Sequence, residues 1–158
     1  MGDAPMLLDT SYLLPLFGVS VNLETFNELF PKLLEKFEVL YNPVSLVEGK
    51  WIALKIAFRQ PSLKDRLLKA YRLGLKSLLS DDRLKQTELT SPEIEEVADV
   101  LLEKGVRDYF DRMIYATAVV REATLLTEDR ELKRLGEAEA APKPRGVRNW
   151  YEVRRLLV

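Results

Sequence analysis

Four acidic residues stand at positions where parallel α/β proteins bind their ligands. Asp9 directly follows the short apolar run Met6-Leu7-Leu8, and Asp129 follows a second short apolar run later in the chain. Glu48 falls in the second turn of a predicted helix, and Asp111 falls in the first turn of the helix that leads to the second run. The strand ends of a parallel sheet meet at one edge, so we expect the four carboxylates to lie close together.

Carboxylates are the main candidates for catalytic groups or metal ligands in this chain, because it contains no His and no Cys. The lack of Cys excludes disulfides, thiolate catalysis and cysteine zinc sites. The lack of His removes imidazole metal ligands and the most common general base. Mg²⁺ or Mn²⁺ takes oxygen ligands and needs neither residue type, so a divalent cation is the expected partner of four clustered carboxylates.

Each aspartate also has a purely structural interpretation. Asp9, Asp129 and Asp108 could each cap the start of a helix, and Asp111 could be a first-turn acid stabilised by the helix dipole. Glu48 fits this interpretation least. The helix that carries it has apolar residues around most of its circumference, which predicts burial on most sides, and a buried carboxylate without a partner is costly.

The elements that must position these acids alternate between short strands and helices. Apolar runs at residues 6–8, 39–41 and 124–127 are predicted strands, and residues 147–148 are a further short candidate. The stretches between them are predicted helices. This alternation predicts an α/β fold in which helices flank a central parallel sheet.

The length of 158 residues and the hydrophobic content of 47% predict a single domain with its own core, spanning residues 1–158. Within it, residues 136–158 are predicted to form a basic C-terminal loop and a closing helix. No apolar run approaches the roughly 20 residues of a membrane span. The N-terminal Met-Gly-Asp lacks the basic region of a secretory leader. These features predict an intracellular, cytoplasmic protein without a membrane segment.

Charge is strongly segregated along the chain, although the net charge is only −1. Residues 91–132 carry 11 acidic and 5 basic side chains, whereas residues 61–90 carry 4 acidic and 7 basic ones. Two interpretations remain open for the basic segment: ordinary solvated helix surface, or a face that receives a polyanion beside an acidic site. The candidate contacts to such a polyanion are Arg66, Lys69, Arg72 and Lys76.

The acids lie in four motifs that resemble those of the PIN-domain ribonucleases. In chain order the motifs are Leu7-Leu8-Asp9-Thr10-Ser11, Ser45-Leu46-Val47-Glu48-Gly49, Asp111-Arg112-Met113-Ile114-Tyr115-Ala116-Thr117-Ala118 and Leu125-Leu126-Thr127-Glu128-Asp129. They follow the order of the family and span residues 7–132. The chain departs from the family pattern at Leu132, where many members have an aromatic residue.

The resemblance implies a PIN-like three-layer fold and a Mg²⁺- or Mn²⁺-dependent enzyme that hydrolyses single-stranded RNA and leaves a 5′-phosphate. It implies that Asp9, Asp111 and Asp129 hold one or two ions, with Glu48 completing the site. Small VapC-like members are toxins paired with an antitoxin, and other members process ribosomal RNA. The expected partners are therefore single-stranded RNA, an antitoxin protein and a second copy of the chain in a homodimer.

Three further side chains are accessory candidates. Ser11 and Thr127 would hydrogen-bond a carboxylate or a metal-bound water, or would instead cap local turns. Asp108 is either an accessory acid or an N-cap. Glu128 adjoins Asp129, and strand alternation points it away from the site.

Two other functions fit part of the pattern. An aspartyl-phosphate phosphatase also has an Asp after its first strand, but its chemistry needs a second Asp two residues later, where this chain has Ser11. A catalytically degenerate PIN domain would act as an RNA-binding or scaffold module. The chain retains all four acids, which favours the enzyme, and metal titration with a nuclease assay separates the two.

Overall fold

The computed structural model describes residues 3–158; residues 1 and 2, part of the N-terminal sequence interpreted above, lie outside this range. The strands are β1 (Met6–Leu8), β2 (Val39–Tyr41), β3 (Leu84–Gln86), β4 (Thr124–Leu126) and β5 (Gly146–Arg148). The helices are α1 (Phe26–Lys36), α2 (Val44–Arg59), α3 (Lys64–Ser80), α4 (Pro92–Glu103), α5 (Tyr109–Val120), α6 (Arg130–Glu137) and α7 (Trp150–Arg154), with short 3₁₀ helices at Thr10–Tyr12, Leu14–Phe17 and Pro61–Leu63. Within the described range, no helix is long and apolar enough to cross a membrane.

The five strands form one parallel sheet in the order β3-β2-β1-β4-β5. β1 is central, and its Leu7 pairs with Leu40 of β2 and with Leu125 of β4. Since all strands run in the same direction, their carboxyl ends share one edge. This edge carries Asp9 immediately after β1 and Thr127 immediately after β4. The predicted α/β fold with a central parallel sheet is confirmed.

Helices cover both faces of the sheet and give the three layers that the resemblance implies. Successive strand residues point to opposite faces. Leu7 and Leu125 belong to a core with side chains of α4, α5 and α6, whereas Leu8 and Leu126 belong to a core with α1, α3 and α7. Burial of both faces explains why β1, β2 and β4 are almost entirely apolar.

The prediction that α2 is buried on most sides is wrong. Its inner face carries mainly small residues, and a Cβ atom added to Gly49 would lie only 3.0 Å from the ring of Phe17. The helix therefore packs closely through its small residues and directs its larger apolar side chains outward. The exposed fractions are 60%, 52% and 73% for Val47, Trp51 and Phe58.

The edge strands differ in how clearly the sequence indicates them. β5, a short candidate in the sequence, pairs with β4 through Val147 and Leu125. The sequence does not predict β3, because Leu84-Lys85-Gln86 is short and two of its three side chains are exposed at the edge of the sheet. It becomes a strand by pairing with β2, which is a tertiary contact.

Candidate active site

Five carboxylates, here called the rim carboxylates, come together at the carboxyl edge of the sheet. Asp9 and Asp129 follow β1 and β4, and the others arrive on helices: Glu48 in the second turn of α2, and Asp108 and Asp111 at the start of α5. The charge of each of the other four raises the pKa of Asp111. The four acids singled out in the sequence therefore lie within electrostatic range of one another, and Asp108 is a fifth.

Asp9 is the most enclosed of the rim carboxylates, with only 7% of its surface exposed. Its Oδ1 accepts a hydrogen bond from the backbone N–H of Thr10 at 2.7 Å, and its Oδ2 accepts one from the hydroxyl of Thr127 at 2.5 Å. Burial raises the pKa of Asp9, and the charges of Asp129 and Asp108 add to this, although both hydrogen bonds oppose it. The carboxylate is thus held in one orientation by donors from two strand ends.

Asp111 has a strongly raised pKa. Partial burial is the largest cause, and the like charges of Asp9, Asp108, Asp129 and Glu48 follow; together they raise the pKa of Asp111 to about 8. A carboxyl group in this position is costly to ionise while the other acids are charged. The ionisation of Asp111 is therefore favoured by a cation nearby.

Glu48 is half-buried in the second turn of α2. Burial raises its pKa, as do the charges of Asp9 and Asp108, whereas the hydroxyl of Thr10 and the ammonium of Lys55 oppose the shift. Thr10 is itself fixed, because its Oγ1 is hydrogen-bonded to Oγ of the fully buried Ser45 at 2.9 Å. Glu48 thus has hydroxyl support from the residue after Asp9.

Asp108 and Asp129 cap the helices that they precede. Oδ1 of Asp108 accepts from the N–H of Asp111 at 2.9 Å, and Oδ1 of Asp129 accepts from the N–H of Leu132 at 3.0 Å. The N-cap interpretation of both residues therefore describes real contacts. Capping and ligand binding are compatible, since a carboxylate has two oxygens and about four lone-pair positions.

The donor chemistry of the rim fits a hard divalent cation. All five groups are oxygen donors, and none of the five ion pairs among residues 3–158 involves them. In the same residues, however, no three acidic side chains are arranged closely enough to hold one ion. Several of the carboxylate oxygen atoms point toward N–H and O–H donors of neighbouring loops and helices. The carboxylates therefore lie near one another at the rim, but they do not form a preorganised metal site.

The four basic residues predicted to contact RNA are all exposed and all lie on α3. The hydroxyl of Tyr71 on α3 donates to the carbonyl oxygen of Leu46 at 2.8 Å, which joins the middle of α3 to the first turn of α2. Leu46 precedes Glu48 by two residues. The basic helix therefore packs beside the element that carries one of the rim carboxylates.

Thr10 and Ser45 belong to the site, but the sequence did not single them out. Both lie in the motifs quoted above, and their positions could have identified them. Thr10 directly follows Asp9, and Ser45 precedes Glu48 by about one helical turn. By contrast, Ser11, which the sequence did single out, is half-buried beside Thr10 in the first 3₁₀ helix. Thr127 donates to Asp9 and accepts from the N–H of Asp129 at 3.1 Å, so it joins two of the acids.

Residues 6–138 match the model of the PIN domain family. One similar solved structure is a chain of VapBC2 from Rickettsia felis, which was crystallised bound to a DNA fragment from their promoter; it is 18% identical with a TM-score of 0.62, over 92% of this chain and 98% of that one. Another is PAE2754 from Pyrobaculum aerophilum, 20% identical with a TM-score of 0.63, over 98% of this chain and 96% of that one. No curated protein gives a significant sequence match. The family model covers most of the sequence and the whole of the acidic rim, and the chain therefore belongs to the PIN domain family.

Proposed function

We propose that this protein is a metal-dependent endoribonuclease that hydrolyses single-stranded RNA. PIN domains are generally nucleases. The observation that carries the proposal is the rim itself. Partial burial and the charges of four neighbouring carboxylates together raise the pKa of Asp111 to about 8, and no Lys or Arg forms an ion pair with any of these acids within residues 3–158. Such an arrangement is unfavourable in an apoprotein and is relieved by Mg²⁺ or Mn²⁺.

In this proposal Asp9, Asp111 and Asp129 hold one or two ions, and Glu48 completes the site. When bound, a divalent cation supplies a water of lowered pKa and stabilises negative charge on the reacting phosphate. The protein's own part is to orient the oxygen atoms. Thr127 fixes Asp9 by its hydrogen bond, and the pair of Thr10 and Ser45 supports Glu48.

RNA reaches the rim, in this proposal, along the basic face of α3. An acidic rim repels phosphate, so binding of a polyanion needs cations close by. The exposed side chains of Arg66, Lys69, Arg72 and Lys76 supply them, on a helix that packs against α2.

Two protein partners belong to the proposal. Small VapC-like PIN proteins act with an antitoxin, and the similarity of this fold to a chain of VapBC2 supports an antitoxin here. The second partner is another copy of the chain. The outer face of α2, formed by Val47, Trp51, Leu54 and Phe58, repeats at helical spacing and borders an apolar pocket of about 500 Å³ that also includes Phe110. We propose that this face is the dimer interface.

The test of the activity is cleavage of an RNA pool in Mn²⁺ and in EDTA, followed by mapping of the ends. The wild-type protein should cleave unpaired RNA only with the metal and leave 5′-phosphates. Asp111→Asn, a nearly isosteric neutral variant, should lose at least about a hundredfold in rate. Asp82→Asn changes an exposed acid in the turn before β3 and should cleave like the wild type.

A second readout on the same proteins separates an inactive PIN domain from an active one. Mn²⁺ at a hundredfold excess over its Kd should stabilise the wild type and Asp82→Asn by about 2.7 kcal/mol, and Asp111→Asn by clearly less. If the wild type binds RNA but shows neither cleavage nor stabilisation by Mn²⁺, the chain is a degenerate RNA-binding module. Equal metal stabilisation in all three proteins would remove Asp111 from the ligand set.

A further inference from the structure

Glu128 has no role in the proposed chemistry, yet its carboxylate has an unusual set of partners. Its Oε2 accepts a hydrogen bond from the hydroxyl of Tyr12 at 2.5 Å and a second from the backbone N–H of Trp150 at 2.8 Å. Tyr12 lies three residues after Asp9, and Trp150 begins α7. One side chain therefore joins the loop after β1, the loop after β4 and the C-terminal helix.

The neighbours of Glu128 in sequence give this contact a direct relation to the rim. Thr127 donates to Asp9, and Asp129 is one of the rim carboxylates. The loops after β1 and β4 are consequently fastened to each other twice, by Thr127 to Asp9 and by Glu128 to Tyr12. The backbone N–H of Asp9 also donates to the carbonyl oxygen of Leu126 at 2.9 Å, where the two loops begin. The two side-chain links extend this connection from the strand ends into the loops and limit their relative movement.

Tyr12 is well suited to be a permanent donor in this arrangement. Its side chain is completely buried, and its ring lies 6.1 Å from the ring of Phe26 and 6.4 Å from that of Trp150. Burial, followed by the hydrogen bond to Glu128, raises the pKa of Tyr12 far above its ordinary value, so the hydroxyl keeps its proton. A buried ring in a packed aromatic cluster also has little freedom to move its hydroxyl.

The partner on the other side, α7, is itself firmly held. The indole Nε1–H of Trp150 donates to the carbonyl oxygen of Glu24 at 2.7 Å, and Arg154 pairs with Glu24 at 2.9 Å. Lys133 of α6 pairs with Glu152 of α7. α7 lies beyond residues 6–138, the part of the chain that matches the family model. It nevertheless contacts the turn that carries Asp129 through Glu128.

We infer that Glu128 is a positioning residue: it acts with Tyr12 and the first N–H of α7 to hold the loop of Asp129 in register with Asp9. The inference rests on the proposed function for its catalytic consequence. It assigns to the C-terminal helix a part in ordering the acidic rim, in addition to its contribution to the core. Glu128 acts only as a hydrogen-bond acceptor, and its negative charge is not needed for this role.

The test compares Glu128→Gln, which keeps a carbonyl oxygen able to accept both hydrogen bonds, with Glu128→Ala, which keeps neither. Tyr12→Phe removes only the hydroxyl. The matched control is Tyr115→Phe, because that tyrosine is also fully buried and also donates one hydrogen bond, to the carbonyl oxygen of Pro142 at 2.8 Å. All rates are measured well below the melting temperature of each variant.

The expected result is a loss of kcat by roughly 10- to 100-fold in Glu128→Ala and Tyr12→Phe, with KM for RNA changed less than about threefold, as for misplaced reacting groups. In Glu128→Gln and Tyr115→Phe, kcat should stay within about threefold of the wild-type value. In the double variant Tyr12→Phe/Glu128→Ala, kcat should be no lower than in the less active of the two single variants, because both changes remove the same interaction. An equal, large loss in Glu128→Gln and Glu128→Ala would overturn the inference, because the charge would then be essential. Full activity in Glu128→Ala would overturn it as well.

Amide hydrogen exchange keeps the inference testable even if the wild-type protein cleaves no RNA. The N–H of Thr10 is bonded to Asp9, and the N–H of Asp129 is bonded to Thr127, so both report on the order of the rim. Exchange at these two amides should be faster in Glu128→Ala and in Tyr12→Phe, and unchanged in Tyr115→Phe. Unchanged exchange in the first two variants would contradict the inference whatever the activity.

Discussion

At the scale of single residues, the rim combines partial burial with like charge. Asp9 is held by two donors, whereas Asp111 experiences the charges of four other acids. Natural proteins keep such costly groups mainly where function needs them, and removal of one often stabilises the fold. At Asp111, therefore, the demands of stability and of the proposed chemistry are opposed.

The pH dependence of stability should reveal this conflict at Asp111. A carboxyl group with a raised native pKa binds its proton more tightly in the folded chain than in the unfolded one. The stability that protonated Asp111 contributes is therefore fully present below the usual aspartate pKa of 3.8, and it is lost as the pH rises through about 8. In EDTA, the melting temperature of the wild type should fall more steeply from about pH 5 to pH 8 than that of Asp111→Asn.

At pH 8 in EDTA, Asp111→Asn should accordingly melt at a higher temperature than the wild type. The exposed variant Asp82→Asn is the control and should follow the wild-type profile. Parallel profiles for the wild type and Asp111→Asn, with the variant slightly less stable throughout, would instead identify Asp111 as a first-turn acid stabilised only by its helix dipole.

At the scale of elements, α2 carries a rim carboxylate and α3 carries the basic residues proposed to bind RNA. α2 brings Glu48 to the site on a helix whose inner face is made of small residues. α3 packs on α2 and presents its cations to solvent, with Tyr71 bonded to Leu46 between the two helices. Within the described part of the chain, the cations of α3 form no ion pairs with the rim carboxylates.

Charge reversal on α3 should weaken RNA binding in a salt-dependent way. In Arg72→Glu/Lys76→Glu, the slope of log Kd against log salt should fall by roughly 0.7 for each phosphate of a single strand that the helix no longer neutralises. Lys32→Glu/Lys143→Glu changes two exposed cations elsewhere and should keep the wild-type slope. An unchanged slope in the α3 variant would show that this face is ordinary solvated surface and that RNA binds elsewhere.

At the scale of the whole molecule, the outer face of α2 is an apolar surface that the fold leaves uncovered. Large apolar side chains exposed in one row are typical of a surface that is covered by a partner. The rim lies next to this face, because Val47 precedes Glu48 and Phe110 precedes Asp111. Pairing of two copies here would therefore bring two acidic rims near each other.

Trp51→Glu and Phe58→Glu should each shift the protein from dimer to monomer, since a charge in an apolar interface is desolvated without a partner. Light scattering coupled to size-exclusion chromatography measures the mass. Leu102→Glu is the control: this leucine is 51% exposed on α4, and its variant should stay dimeric. A monomeric wild-type protein would contradict the proposed dimer.

The alternation of strands and helices, the parallel sheet and the acids that follow β1 and β4 could all be predicted from the amino-acid sequence. These features follow from local patterns: short, mainly apolar strands, an acid at or shortly after the ends of two of them, and helical spacing between them. Asp9 and Asp129 could be found for this reason, because the end of a strand is visible in the sequence. Thr127 could be found in the same way.

Which helix faces are covered, and which side chains contact each other, depends on tertiary packing and could not be predicted from the sequence. α2 looked buried on most sides because its composition is apolar, but the close approach of Phe17 to Gly49 turns its large side chains outward. Residues 84–86 form strand β3 because they pair with β2 in the sheet. The bond between Glu128 and Tyr12 joins residues 116 positions apart. No local pattern encodes such contacts, since they depend on how separate elements pack, and that packing places the C-terminal helix next to the acidic rim.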